Sequence, residues 1–172
     1  MVAPYARPPG ANFHDLQEAR HYEQVIAGAL PAYRIDKTDS TIELDFWVPG
    51  FYLDVKEKKQ PLTARWHLLE AAHEDTFVLD ELSLRKALKH YPYAYFLLRD
   101  RPLDRLFLAG CWELACVRRT RVNRQGKGKL LLDLNDFRQV THDTFVSEVM
   151  ADLATVRWGV SECVGAQPPP QV

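Results

Sequence analysis

The stretch Thr41–Lys59, T-I-E-L-D-F-W-V-P-G-F-Y-L-D-V-K-E-K-K, admits few folds. Two short alternating runs meet at Pro49-Gly50. In the first, Ile42, Leu44, Phe46 and Val48 fall on one side and Glu43, Asp45 and Trp47 on the other. In the second, Phe51, Leu53 and Val55 alternate with Tyr52, Asp54 and Lys56. A period of two marks half-buried strands. With Pro49 and Gly50 in the turn, Val48 faces Phe51, and counting outward sets Asp45 opposite Asp54 and Glu43 opposite Lys56. A four-residue loop from Val48 to Phe51 keeps the same facing pairs. That matters because proline cannot adopt the positive φ that two-residue hairpins prefer at their first central position. Two carboxylates directly across a strand pair stand about 5 Å apart at Cβ and repel. A hard divalent cation between them reverses the sign, since magnesium is held by one or two carboxylates with water completing its shell.

Asp45 followed by the triplet Asp54-Val55-Lys56 resembles the PD-(D/E)xK nuclease superfamily, the fold of many restriction endonucleases and of archaeal Holliday-junction resolvases. The family motif is an acidic residue ending one strand, then an acidic-x-lysine triplet on the next. This chain departs twice: Leu44 rather than proline precedes the first aspartate, and the triplet opens with aspartate where the resolvases more often use glutamate. The resemblance implies a restriction endonuclease-like α/β fold, a central mixed β-sheet flanked by helices. It implies Mg2+ or Mn2+ as cofactor, DNA as partner and a homodimer presenting two sites to two strands. The implied metal ligands are Asp45, Asp54 and the backbone carbonyl of Val55, with a glutamate reaching over from the opening helix. Glu23 matches that placement best and Glu18 is the alternative; the plainer reading of Glu23 is a solvated helix residue.

Phosphodiester hydrolysis needs a nucleophilic water, charge relief on the phosphate and protonation of the leaving oxygen. A metal at the paired aspartates provides the charge relief and lowers the water's pKa. Lys56 lies two residues after Asp54 and projects from the same face, where its ammonium orients the water and offsets charge. Asp45, Asp54, Lys56 and Glu23 are thus the expected catalytic set of a magnesium-dependent endodeoxyribonuclease. A structure-selective, junction-resolvase-like enzyme is favoured because the chain is small and has no evident sequence-reading module. The alternative is a non-catalytic nucleic-acid-binding or scaffold protein that retains the fold.

A net charge of −1 argues against a strong non-specific DNA binder, so any DNA surface must be a local patch. Residues 118–129 carry six cations and no acid: Arg118, Arg119, Arg121, Arg124, Lys127 and Lys129. The run reads either as a phosphate-contacting hairpin or as a solvated turn. Lys58 and Lys59 extend the positive end of the second strand toward the nucleic acid. Trp47 and Tyr52 share the carboxylate face, where they stack on a splayed base, wall the site or fill core against a helix. His21, two residues before Glu23, is a candidate phosphate contact. The histidines form no H-E-x-x-H pair, and no G-x-G-x-x-G or Walker loop implies a nucleotide cofactor. No apolar run approaches the roughly 20 residues of a membrane span. Three cysteines without metal spacing, and no signal-like segment, point to free thiols in a reducing cytoplasm.

Along the chain, residues 1–12 read as a flexible lead, 13–160 as a single domain and 161–172 as a flexible proline-rich tail. Helical spacing predicts a first helix from Phe13 to Leu30 with Asn12 as its cap, then a strand over Ala32–Thr38 and a turn over Lys37–Ser40. Pro61–Ala72 reads as helical. Thr76–Leu82 is extended or leads into a helix over Leu82–His90 that Ser83 caps and Pro92 stops. Tyr93–Leu98 reads as a buried strand, Leu106–Ala109 as another, Cys111–Val117 as a short helix or a continuing strand, and Leu130–Leu134 as a further strand. Asp143–Trp158 closes the domain as an amphipathic helix.

Overall fold

An uninterrupted apolar run such as Ala94–Leu98 needs cover on both faces, and it becomes the middle of the molecule. The computed structural model describes residues 11–30, 44–48, 50–62, 74–124 and 126–164. The elements in chain order are α1 (Ala11–Ala29), β1 (Phe46–Val48), β2 (Phe51–Lys58), β3 (Thr76–Asp80), α2 (Glu81–Ala87), β4 (Ala94–Asp100), β5 (Arg105–Gly110), α3 (Cys111–Cys116), β6 (Thr120–Arg124), β7 (Lys127–Asp133), β8 (Arg138–Val140) and α4 (Phe145–Val164). Five strands form a mixed sheet in the order β1-β2-β4-β5-β8, with β2 and β4 parallel and the other neighbours antiparallel. A separate antiparallel sheet has the order β3-β7-β6.

Alternation on the large sheet sorts its side chains into two cores. Phe46, Val48, Phe51, Leu53, Val55, Tyr95 and Leu97 meet Tyr22 and Ile26 of α1, Leu30 just past its end, and Phe145, Val149 and Leu153 of α4. A spacing of four residues brings each set to one face. On the other side, Ala94, Phe96, Leu98 and Phe107 meet Phe77, Leu79, Leu130 and Leu132 of the small sheet, with Leu84 and Leu114 from α2 and α3. The result is a central mixed sheet with helices on one face and a small sheet plus two short helices on the other.

Several expectations change. Leu44 does not share the face of Phe46 and Val48; it packs into the second core, because the chain bends at Asp45 before β1 begins. Asn12 lies inside α1 rather than capping it. Thr76–Asp80 is extended and runs straight into α2, so Asp80 occupies the cap position and Ser83 sits within the helix. A 3-10 turn, Leu88–His90, ends that segment before Pro92. Leu130–Leu134 does not extend the large sheet: Thr76–Asp80 pairs with Lys129–Asp133 instead. Strand β8, three residues long, carries too little alternation to read from sequence. Helix α4 runs on to Val164, past the boundary expected at 160. Its start is fixed by Thr141 and Thr144, whose backbone N–H groups donate to each other's hydroxyl oxygens at 3.0 and 3.2 Å. The expected strand over Ala32–Thr38, the Lys37–Ser40 turn, most of the Pro61–Ala72 helix, and the chain ends 1–10 and 165–172 lie outside the described residues. Among the described residues no helix is long and apolar enough to cross a membrane.

Candidate metal and catalytic site

The hairpin takes the expected register, Phe46 facing Leu53, Trp47 facing Tyr52 and Val48 facing Phe51. Gly50 turns the chain at φ +107°, a conformation that L side chains rarely adopt. One more pair would set Asp45 across from Asp54, but the ladder stops at Phe46. With Leu44 drawn into the other core, the edge of β2 at Val55 loses its next backbone partner. The carboxylate of Asp45 takes that place: its Oδ2 accepts from the Val55 N–H at 2.8 Å. A strand residue points its N–H and C=O to the same side, so the Val55 carbonyl faces the same open edge. There it accepts from Lys56 Nζ at 3.3 Å.

Lys56 Nζ also lies 2.6 Å from Asp54 Oδ1 and 3.7 Å from Asp45 Oδ2. The three residues named above as metal donors thus turn oxygens toward one cationic centre. Asp54 is 4% exposed and Asp45 8%. Burial pushes the Asp54 carboxyl up to about 7; Lys56 works against that shift and Asp45 adds to it. Burial alone would lower the Lys56 ammonium, but the charges of Asp54, Asp45 and, more weakly, Glu23 outweigh it and hold Lys56 above an ordinary lysine. Glu23 is half-buried on α1, and its charge acts on Lys56. Glu18 is engaged elsewhere, 3.2 Å from Lys59 Nζ and 3.1 Å from Arg101.

The donor set suits a hard ion. Among the described residues no group of three or more His, Cys, Asp or Glu gathers as a cage, so the donors here are two carboxylates and a carbonyl. Magnesium keeps several waters and needs only one or two carboxylates. Two buried carboxylates and a strand carbonyl around a cation meet that requirement.

The expected nucleic-acid contacts divide. Lys58 is corrected: it is 6% exposed, 3.0 Å from Asp100 Oδ1, and donates to the Glu74 carbonyl at 2.6 Å. Its even-numbered position on β2 turns it toward the second core, where β4 presents Asp100 directly opposite. Lys59 pairs with Glu18. Arg119 donates to the Leu114 and Ala115 carbonyls at the end of α3. Arg121 lies 2.8 Å from Glu81, and Lys129 pairs with Asp80. Arg118 and Lys127 are exposed and form no ion pair among the described residues. Arg124 ends β6, with its side chain outside the described part. Tyr52 stacks on His90 at 4.0 Å between ring centroids and packs against the second core; Trp47 stays 37% exposed.

Sequence reasoning missed the partners of β2 on its two faces, Glu57 with Arg99 and Lys58 with Asp100. Only the parallel pairing of β2 with β4 brings them together. No model of a known protein family matches the chain, and no curated protein matches it. Among solved structures it is similar to a nuclease from a fusselovirus, with a TM-score of 0.46 and 10% identity, over 89% of this chain and 99% of that one.

Proposed function

We propose that the chain is a magnesium- or manganese-dependent nuclease that hydrolyses phosphodiester bonds in DNA. Asp45, Asp54 and the Val55 carbonyl would hold the ion, with Lys56 beside it and Glu23 adding charge from α1. One observation carries the reading: among the described residues, two nearly buried carboxylates converge on one ammonium. Such a cluster keeps excess negative charge away from water, which is costly unless a cation offsets it. When bound, the ion supplies charge relief on the phosphate and a water of lowered pKa. Asp45 is held in place by the Val55 N–H, so its carboxylate does not need to reorganise. Lys56, positioned by Asp54, turns its ammonium to the attacking water or to a phosphate oxygen.

Branched DNA is the first substrate to try, and a homodimer is the assembly that would present paired sites. The test is cleavage of branched, single-stranded and duplex DNA with Mg2+ or Mn2+, beside metal-induced shifts in melting temperature. Cleavage that depends on metal and is lost in Asp54→Asn supports the reading. A protein that cuts nothing, and whose melting point ignores both metals, rules it out. A second reading, nucleic-acid binding without cleavage, is favoured by one fact only: Lys58, Arg121 and Lys129 spend their charge on internal acids. It predicts DNA binding that Asp54→Asn leaves unchanged, with no cleavage by the wild type.

A further inference from the structure

We propose that a cleft between α1 and the C-terminal ends of β2 and β4 binds a nucleotide whose base carries an exocyclic amino group, either free or as an unpaired residue of a strand. The cleft encloses about 480 Å3, and its walls include His21, Tyr22, Glu57, Arg99, Arg101 and His142. Pockets of about 300–1,000 Å3 take ligands of nucleotide size. The cleft is distinct from the metal site yet adjoins it. Glu57 follows Lys56 on β2 but faces the other side of the sheet, and Tyr22 precedes Glu23 on α1.

The floor asks for a donor. Glu57 Oε1 accepts from Arg99 at 3.1 Å, whereas Oε2 is buried and has no hydrogen-bond partner among the described residues. The side chain is only 9% exposed. A buried carboxylate oxygen left unmade is expensive, and a ligand N–H satisfies it. Carboxylates accept in this way from the amino group of cytosine.

The wall offers a plane. The Arg99 guanidinium lies 4.1 Å over the Tyr22 ring, and Tyr22 is fixed in turn by its 3.3 Å contact with His142. A guanidinium held flat in this way is a stacking surface for a base.

The rim asks for an anion. Arg101 is 47% exposed at the mouth, where it and the nearby Lys59 converge on the half-exposed carboxylate of Glu18. The exposed imidazoles of His21 and His142 add hydrogen-bonding capacity. An acceptor on the floor and cations at the rim match a molecule with an amino group at one end and a phosphate at the other.

The strand-borne form rests on the nuclease reading; the site itself does not. The test is calorimetric titration of the full chain in EDTA with cytidine 5′-monophosphate, uridine 5′-monophosphate and inorganic phosphate. The two nucleotides differ in having an amino group or a carbonyl at C4. The expected result is that the cytidine nucleotide binds at least about five-fold more tightly than the other two probes. Glu57→Gln brings the ratio of the two nucleotides toward one. Arg101→Ala, at an exposed position, weakens both by a similar factor and leaves the ratio alone, which keeps the test open if Glu57→Gln does not fold. Equal affinity for all three probes, or no binding at millimolar concentration, overturns the proposal. In competition, a duplex with one unpaired cytosine that displaces the mononucleotide, where a fully paired duplex does not, assigns the site to a strand. Displacement by neither assigns it to a free nucleotide, and both results uphold the site. Asp54→Asn separates the two readings: cleavage is expected to vanish while cytidine nucleotide affinity stays unchanged. A wild type that cuts nothing but prefers the cytidine nucleotide defeats the nuclease reading alone.

Discussion

Strand β2 carries two buried charge clusters, and they follow opposite rules. At Asp54 and Lys56 two carboxylates share one ammonium, on the edge that β1 leaves uncovered. Just beyond, Lys58 faces Asp100 at 3.0 Å, Asp100 faces Arg105 at 2.6 Å, and Arg105 reaches Asp75 at 2.8 Å. Those four charges alternate in sign across β2, β4 and β5 and then into the segment before β3, and they balance. Burial makes the second, balanced cluster costly to break, whereas the first, counted among the described residues, sets two carboxylates against one ammonium.

The largest effect that would sharpen this contrast is expected at Asp54. Asp54→Asn should lower metal-dependent cleavage by a factor of about 100 or more and remove metal-induced stabilisation. It should leave the metal-free melting temperature equal or higher, because it removes a repulsion. A large loss of metal-free stability would make the first cluster architectural like the second. Asp100→Ala should behave in the opposite way, costing about 3–5 kcal/mol in urea unfolding because it strands Lys58 and Arg105. Tolerance of that change would dissolve the contrast from the other side.

Acid and base should also separate the clusters. The folded Asp54 carboxyl is raised from 3.8 to about 7. The native state therefore binds a proton that the unfolded state has released, and metal-free stability from this group is full below about 4 and falls as pH rises through about 7. Added magnesium should restore more stability at pH 8 than at pH 5. Asp75 is shifted the other way: its hydrogen bond with Arg105 holds its carboxyl low. Its contribution is present above the ordinary carboxylate value and is lost as pH falls through the lowered one. Melting temperatures from pH 3 to pH 8, with and without magnesium, read both limbs, and a metal response independent of pH would contradict the first.

The smallest expected effect lies outside both clusters. Lys127→Ala should weaken DNA binding a few-fold and reduce the slope of log affinity against log salt by about one, since an outward cation contacts phosphate without reading sequence. Arg121→Ala, which removes a partner of Glu81, should alter the slope less. Equal slopes would mean that the paired cations reach DNA as readily as the unpaired one.

The hairpin and its register from Phe46 to Leu53 were legible because alternation and a Gly-bearing turn are local signals; the bend that takes Asp45 out of the ladder was not. Helices α1 and α4 were legible from their spacing. What was not legible is non-local. Nothing near Lys58 announces Asp100, which arrives through a parallel pairing between strands distant in sequence. Nothing in Thr76–Asp80 names Lys129–Asp133 as its partner. The basic run of residues 118–129 looked uniform in sequence, yet Glu81 and Asp80, brought up by α2 and the end of β3, divide it.

Leu44 gives the candidate metal site a dependence on the layer of side chains behind the sheet. Buried at 2% exposure among the small-sheet side chains, it keeps the chain from zipping one pair further along β2. Make that position hydrophilic, and the segment is free to swing back, offer its amide to the carbonyl of Val55 and seal the notch. The proposed activity would then disappear with both aspartates and the lysine still in the sequence, switched off by the loss of an anchor whose own side chain packs in the other core.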